Sequence, residues 1–338
     1  MKRKQFLSSL IPLASLGVMP DLLAEPEGRP GKYKLPKALK YGDTIGITCT
    51  GGPVSMVEIN PAIRQFESWG FKVRVGSNPG RKYLNFGGTD KERQEELQEM
   101  LDDDRIQAIV FARGGYGTVR ILDKLDLGPF LKNPKWLLGF SDLTYLHSLI
   151  LGKGVACIHS KMCSSFPSNW EEATEDQKSS ILSIKEALTG LKCDYKAAPH
   201  PSNIFGDASG PLLGGNLRIL ESLSGSPTSL KTEGCILFLE DTMEYAYSID
   251  RMLWNLLRSG KLEKLKGLII GGFRIKPDDP GEEFGMSLEE IILEKVKDFG
   301  YPVCFGFPVG HQPANVALKC GVTHRFTVNG TGVFLKEH

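Results

Sequence analysis

The segment Trp136-Leu137-Leu138-Gly139-Phe140-Ser141-Asp142-Leu143-Thr144-Tyr145-Leu146-His147-Ser148-Leu149-Ile150 changes character at its fifth and sixth residues. Trp136 to Phe140 is a short apolar run suited to a buried strand, and from Asp142 the apolar residues recur with helical spacing. A strand that passes directly into a helix is half of a βαβ unit. The chain repeats the pattern on both sides of this segment. Upstream, Thr44 to Cys49 reads as a strand, Ser55 to Trp69 as a helix stopped by Gly70, and Lys72 to Val75 as a second strand. Thr89 followed by Glu92 is a capping box that opens another helix, expected to stop just before Asp102 because acidic residues are unfavourable at a helix C-terminus. Ile106 to Phe111 is a third buried strand. Such alternation predicts an α/β protein with a largely parallel sheet.

Downstream the organisation shifts. Residues 166–206 are rich in Pro, Ser and charge, carry one helix near Glu175 to Leu191, and are expected to connect two domains. Residues 38–165 would form the first domain and 207–338 the second. In the latter, Gly214-Gly215-Asn216 opens a helix, and Cys235 to Leu239 and Leu268 to Gly272 are apolar strands. Ser248 to Ser259 is an amphipathic helix with Met252, Leu253, Leu256 and Leu257 inward. Ser287 to Phe299 is another helix, and the tail from Val303 is β-rich.

A length of 338 residues with 41% hydrophobic content suits about two domains with substantial cores. Lys plus Arg total 41 against 40 for Asp plus Glu, so no global field favours nucleic acid or a membrane surface. The seven cysteines are an odd number, widely spaced, with no C-x-x-C pair, and are read as free core thiols. No H-E-x-x-H or clustered His and carboxylate spacing marks a metal site, and no cofactor is expected. The N-terminus differs in kind. Lys2-Arg3-Lys4 precedes a short apolar stretch, Leu10 to Met19, with Leu22-Leu23-Ala24 as a loose cleavage site. Residues 1–24 are therefore expected to be a signal peptide, giving an exported, periplasmic or envelope protein with no stable membrane insertion once the leader is removed.

Chemistry is concentrated at predicted strand ends. Ile106 to Phe111 delivers Arg113-Gly114-Gly115-Tyr116-Gly117 to its carboxyl end, where open α/β sheets bind ligands. Its glycines allow backbone N–H groups to approach an anion, although the run matches neither G-x-G-x-x-G nor the P-loop. Ser141, between strand and helix, has nucleophile-elbow placement, but Gly139-Phe140-Ser141-Asp142-Leu143 lacks the second glycine of G-x-S-x-G. On pattern alone a helix N-cap is the more economical role for it. Glu240 ends an apolar strand, where a carboxylate is expensive to desolvate unless paired, and an ion pair with Arg251 would satisfy it. His311 follows Gly310 on a loop, with His159 as its competitor. Ser141, Glu240 and His311 follow the order serine, acid, histidine found in one group of convergent triads.

With these residues in place, the sequence resembles the LD-carboxypeptidases, the muramoyltetrapeptide carboxypeptidases of serine peptidase family S66. Five motifs match in order from Gly42-Asp43 to the last strand: Arg113-Gly114-Gly115-Tyr116-Gly117, Gly139-Phe140-Ser141-Asp142, Gly214-Gly215-Asn216, Leu239-Glu240-Asp241 and Gly310-His311. The resemblance implies Ser141 as nucleophile, Glu240 as acid and His311 as base. It also implies a Rossmann-like N-terminal domain related in layout to class I amidotransferases, a β-rich α/β C-terminal domain, and a homodimer. Its implied substrate is a muropeptide, cut at the L,D-bond to the terminal D-alanine in cell-wall recycling or remodelling. The N–H groups of Asp142, Gly114 and Gly115 are candidates for an oxyanion hole. Arg113 is the candidate for the substrate's terminal carboxylate, with Lys161 second. Two features depart from the family. Ile158-His159-Ser160-Lys161-Met162 replaces a glycine-proline version, and the leader conflicts with the cytoplasmic location usual for members. Two other readings stand beside the peptidase: a family relative that hydrolyses acyl- or peptidyl-nucleotide antibiotics as an immunity protein, and a non-catalytic muropeptide-binding protein.

Overall fold

The structure is a computed structural model that describes residues 33–338. The expected leader, residues 1–24, lies outside the described residues. The first half of the chain forms β1 (Thr44–Thr48), α1 (Met56–Ser68), β2 (Lys72–Val75), α2 (Asp90–Asp102), β3 (Ile106–Phe111), α3 (Gly128–Lys132), β4 (Trp136–Gly139), α4 (Thr144–Gly152), β5 (Cys157–His159) and α5 (Glu175–Leu188). The second half forms β6 (Asp194–Ala197), β7 (Gly206–Asn216), α6 (Leu217–Ser222), β8 (Ile236–Tyr245), α7 (Ala246–Arg258), β9 (Gly267–Lys276) and α8 (Leu288–Val296). It ends in β10 (Val303–Cys304), β11 (Leu318–Cys320), β12 (Thr323–Asn329) and β13 (Gly332–Glu337).

Local chemistry sets the helix starts. The Ser55/Glu58, Thr89/Glu92, Thr174/Gln177 and Ser287/Glu290 pairs each close a complete capping box. α2 keeps Asp102 as its last residue, with Asp103 beyond it bound to Arg74 and Arg105. Those arginines offset the like charge that was expected to end the helix a residue earlier.

Two sheets result. The first has the order β11-β5-β4-β3-β1-β2, parallel throughout except for β11, which runs antiparallel to β5. The second has the order β10-β9-β8-β7-β12-β13-β6, with a parallel half from β10 to β7 and an antiparallel half from β12 to β6. This is the expected α/β architecture with a second, β-rich domain. β8 and β9 continue to Tyr245 and Lys276, well past the apolar runs that predicted them. Their far ends form a half-buried to exposed two-stranded ribbon of polar and mixed residues, so hydrophobicity marked only the buried parts.

The two domains are interleaved. One continuous apolar core joins Leu143, Leu146 and Ile150 of the first to Leu213, Leu217 and Phe238 of the second. A separate cluster covers the other face of the first sheet, and there α5 buries Ile181, Ile184, Ala187 and Leu188 against Ile45, Ile47 and Ile158. Residues 166–206 thus supply a helix to the first domain's core and β6 to the edge of the second sheet. The hydroxyls of Ser180 and Ser183 also accept hydrogen bonds from the backbone N–H groups of Asn315 (2.8 Å) and Ala317 (2.9 Å). The tail is thereby guided back to pair Leu318 with His159.

Candidate active site

β4 ends in Phe140, which is extended at φ −152°, and the next residue, Ser141, has φ +61°. A side chain larger than hydrogen in the left-handed region costs about 1–3 kcal/mol and persists only where its surroundings enforce it. This conformation corrects the N-cap reading. A cap needs extended backbone for its oxygen to reach the N–H two or three residues on, and the turn beginning at Ser141 has no side-chain cap bond. The hydroxyl makes no hydrogen bond among the described residues. Gly114 lies against it, since a Cβ at that position would stand 3.2 Å from Ser141 Cβ and 3.4 Å from Ser141 Oγ. The neighbouring Asp142 side chain is buried, and its Oδ2 accepts from Thr118 N at 2.9 Å. Burial pushes this carboxyl's pKa up against the lowering effect of the bonds to Thr118. Asp142 thereby ties the Gly114–Thr118 turn to the helix that follows Ser141. None of the hydrogen bonds of the described residues uses the N–H groups of Gly114, Gly115 or Asp142.

Glu240 and His311 come from the other domain. Glu240 is fully buried on β8, and its Oε2 lies 2.5 Å from His311 Nδ1, while Oε1 has no partner. Arg251 is engaged elsewhere, donating to Ser248 Oγ at 3.2 Å and lying over the Tyr247 ring. A desolvated carboxylate with one partner orients that partner strongly. With Nδ1–H donated to Glu240, the His311 Nε2 lone pair is left free. Two glycine-dependent features bring His311 into place. Gly310 has φ +99°, and any Cβ there would overlap the Cβ of Glu240. Its N–H donates to Asn315 Oδ1 at 2.9 Å, and it bridges to Gly272 of β9. The His311 ring packs on Phe140, with centroids 4.8 Å apart, which sets the histidine against the residue that precedes Ser141.

Asp241, next along β8, braces this arrangement. It accepts from Asn216 Nδ2 at 2.9 Å, Arg218 N at 2.8 Å and Thr242 N at 2.7 Å. Burial raises its pKa to about 6, with Glu240 adding to the rise. Asn216 caps α6 through Ile219 N and takes Thr144 Oγ1 at its own N–H, which links the second domain to the helix after Ser141.

The sequence reading missed Arg93. It is fully buried on α2, donates to the carbonyls of Thr50, Gly88 and Gly117, pairs with Asp90, and lies 4.9 Å from the Phe86 ring centroid. It locks together three loops at the carboxyl edge of the first sheet. A signal was present: Arg93, Leu97 and Met100 share the inward face of α2, where a charged residue breaks the apolar pattern.

Other candidates take different places. His159 is fully buried between Phe140 (5.7 Å) and Phe238 (4.9 Å). Burial pushes its pKa well below the usual range, and neither ring nitrogen has a partner. It has no carboxylate to orient it and packs beneath Phe140. Lys161 donates to Gln312 O at 2.9 Å, and burial lowers its pKa. Arg113 donates to Pro53 O at 3.1 Å and lies 4.0 Å from Glu58, so its guanidinium is engaged at the start of α1. All seven cysteines are free and buried. Away from the crevice, Cys193, His324 and Glu337 bring ligand atoms within 4.8 Å of one another. Lys319 Nζ already sits 2.9 Å from that glutamate, and its charge opposes a dication. Among the described residues no helix is long and apolar enough to cross a membrane.

Comparison with known proteins agrees with this architecture. Residues 45–160 match the LD-carboxypeptidase N-terminal domain family and residues 209–326 the LD-carboxypeptidase C-terminal domain family. A probable murein peptide carboxypeptidase of Bacillus subtilis is 33% identical over 86% of this chain and 90% of its own length. A murein tetrapeptide carboxypeptidase of Pseudomonas aeruginosa is 30% identical over 82% and 91%. The crystal structure of muramoyltetrapeptide carboxypeptidase from Oxalobacter formigenes superposes with a TM-score of 0.77 at 28% identity, covering 87% of this chain and 98% of that one. A more distant relative, the microcin C7 self-immunity protein of Escherichia coli, is 26% identical over 88% and 94%. Fold and relatives together define a peptidase, a hydrolase of peptide bonds. The chain belongs to the LD-carboxypeptidase family, S66.

Proposed function

We propose that this protein is a serine-type LD-carboxypeptidase that releases the terminal D-alanine from peptidoglycan tetrapeptides. One observation carries the reading: His311, joined at 2.5 Å to the buried Glu240, packs on Phe140, the residue that precedes a serine held at φ +61°. The curated murein carboxypeptidases among its relatives support the substrate class.

In this mechanism His311 Nε2 accepts the Ser141 proton as Oγ attacks the carbonyl of the residue preceding D-alanine. Negative charge collects on the carbonyl oxygen and meets the uncommitted N–H groups of Asp142, Gly114 and Gly115. Glu240 holds the imidazole in the tautomer that can take the proton and stabilises the imidazolium that forms. His311 then hands that proton to the departing amine as the C–N bond breaks. D-alanine leaves, and the acyl group stays on Ser141 Oγ. Water enters, gives its proton to His311 and cleaves the ester, which returns the serine hydroxyl.

The test is D-alanine release from a muramyl tetrapeptide by the full chain, beside Ser141→Ala. Release by the wild type alone supports both reaction and nucleophile. No release by a folded wild type overturns the reading.

A further inference from the structure

We propose that the cavity on the second-domain side of His311 is the subsite of the released amino acid, and that Arg274 recognises its free carboxylate there. This rests on the carboxypeptidase reading and deepens it. The cavity has a volume of about 350 Å³ and is walled by His311, Gln312, Arg274, His200, Glu289 and Phe305, among others. That volume lies in the range of small-molecule sites.

Mechanism decides which product lies here. The group that protonates the departing amine must stand beside it, so the released residue lies against His311, while the acyl part stays with Ser141. In an α-amino acid the carboxylate is two bonds from that amine. A cation that reads it must therefore share a cavity with the histidine. Arg274 does so, and it is uncommitted: the guanidinium is exposed and makes no hydrogen bond, ion pair or ring contact among the described residues. Arg113, the residue the sequence favoured for this task, is occupied by Pro53 O and sits near Glu58.

Gln312 is held in place within the wall. Gln312 Nε2 donates to Phe307 O (2.6 Å) and Val309 O (3.2 Å). Its Cγ fills the space that a Cβ on Gly272 would need, two residues before Arg274 on β9. The cavity's carboxylate, Glu289, has Oε1 3.7 Å from His200 Nε2. Arginine is the side chain suited to this task, because its planar fork meets a carboxylate with two parallel charge-assisted bonds.

The experiment compares two tetrapeptides, one ending in D-alanine and one in D-alaninamide, with the full chain and with Arg274→Gln. The wild type is expected to favour the free acid by about 10–100-fold in kcat/KM. Arg274→Gln should bring the acid down to the amide, chiefly through KM, and leave the amide rate unchanged. Arg274→Lys should restore part of the preference, and Arg113→Gln should keep it. An acid-to-amide ratio unchanged in Arg274→Gln, or an equal loss on both substrates, overturns the proposal. A wild type that turns over neither substrate refutes the peptidase reading separately. Calorimetric binding of both peptides to Ser141→Ala, with and without Arg274→Gln, then decides: tighter binding of the acid that needs Arg274 supports the subsite, and equal or absent binding overturns it.

Discussion

Glu240 and His311, 71 residues apart in sequence, are joined by a 2.5 Å contact in which the carboxylate is fully buried and the imidazole keeps 19% of its side chain exposed. The buried partner is thus held rigid, and the partner at the crevice remains reachable. Replacing Glu240 by Gln preserves shape and removes the charge that orients and stabilises the histidine. The expected result is a folded protein with kcat reduced about 10³–10⁴-fold. A folded Glu240→Gln variant of near wild-type rate would remove the glutamate from the mechanism.

Ser141→Ala should lower kcat by about 10⁴–10⁶-fold and leave substrate binding largely intact. A fluorophosphonate probe should label the wild type at Ser141 and fail to label the variant. Residual activity above about a tenth of wild type would refute the assignment of the nucleophile.

Gly310→Ala tests the backbone beneath the pair. The residue needs φ +99°, and its new Cβ would overlap Glu240. Strain and overpacking together should cost about 2–5 kcal/mol of stability. Activity should fall even at temperatures where the variant is folded, because His311 and Glu240 must move apart. A variant with wild-type melting temperature and rate would contradict the packing described.

Stability should fall on mild acidification. Burial lowers the pKa of His147 and of His324 to about 4, and that of His159 well below its ordinary value. In the unfolded chain all three titrate near 6.5. Between about pH 6.5 and 4 the unfolded state therefore binds more protons, so stability is fully present above pH 6.5 and is lost as pH falls through that window. Asp241, raised to about 6, and Asp142, also raised by burial, act in the opposite direction above about pH 4, but they are two groups against three. Urea midpoints should drop from pH 7 to pH 5, and His147→Gln should flatten part of the slope. Equal midpoints at the two pH values would contradict this account.

Much was legible before any coordinates. Period and punctuation located β1 to β4 and the helices α1, α2 and α4 of the first domain, because capping boxes such as Thr89/Glu92 and apolar runs such as Ile106–Phe111 act over a few residues, whereas the short α3 and β5 carry no such signal. The strand-to-helix passage at Ser141 and the motifs around Glu240 and His311 were visible for the same reason. Only the tertiary structure decided what these local features do together. The φ of +61° at Ser141 is imposed by packing against Gly114 and by Asp142's bond to Thr118, more than 20 residues upstream. The pairing of Glu240 with His311 in place of Arg251 depends on a glycine, Gly310, that lets the histidine's loop lie directly on β8. The inward face of α2 marks Arg93 in the sequence, but its partners are backbone carbonyls on three separate loops, which no side-chain motif records. Arg113 and Arg274 are equal as letters, and one is engaged while the other stands open in the cavity beside His311. Propensity and capping are short-range and survive in the linear chain, whereas the partner a charged side chain finds is set by which distant segments the fold brings together.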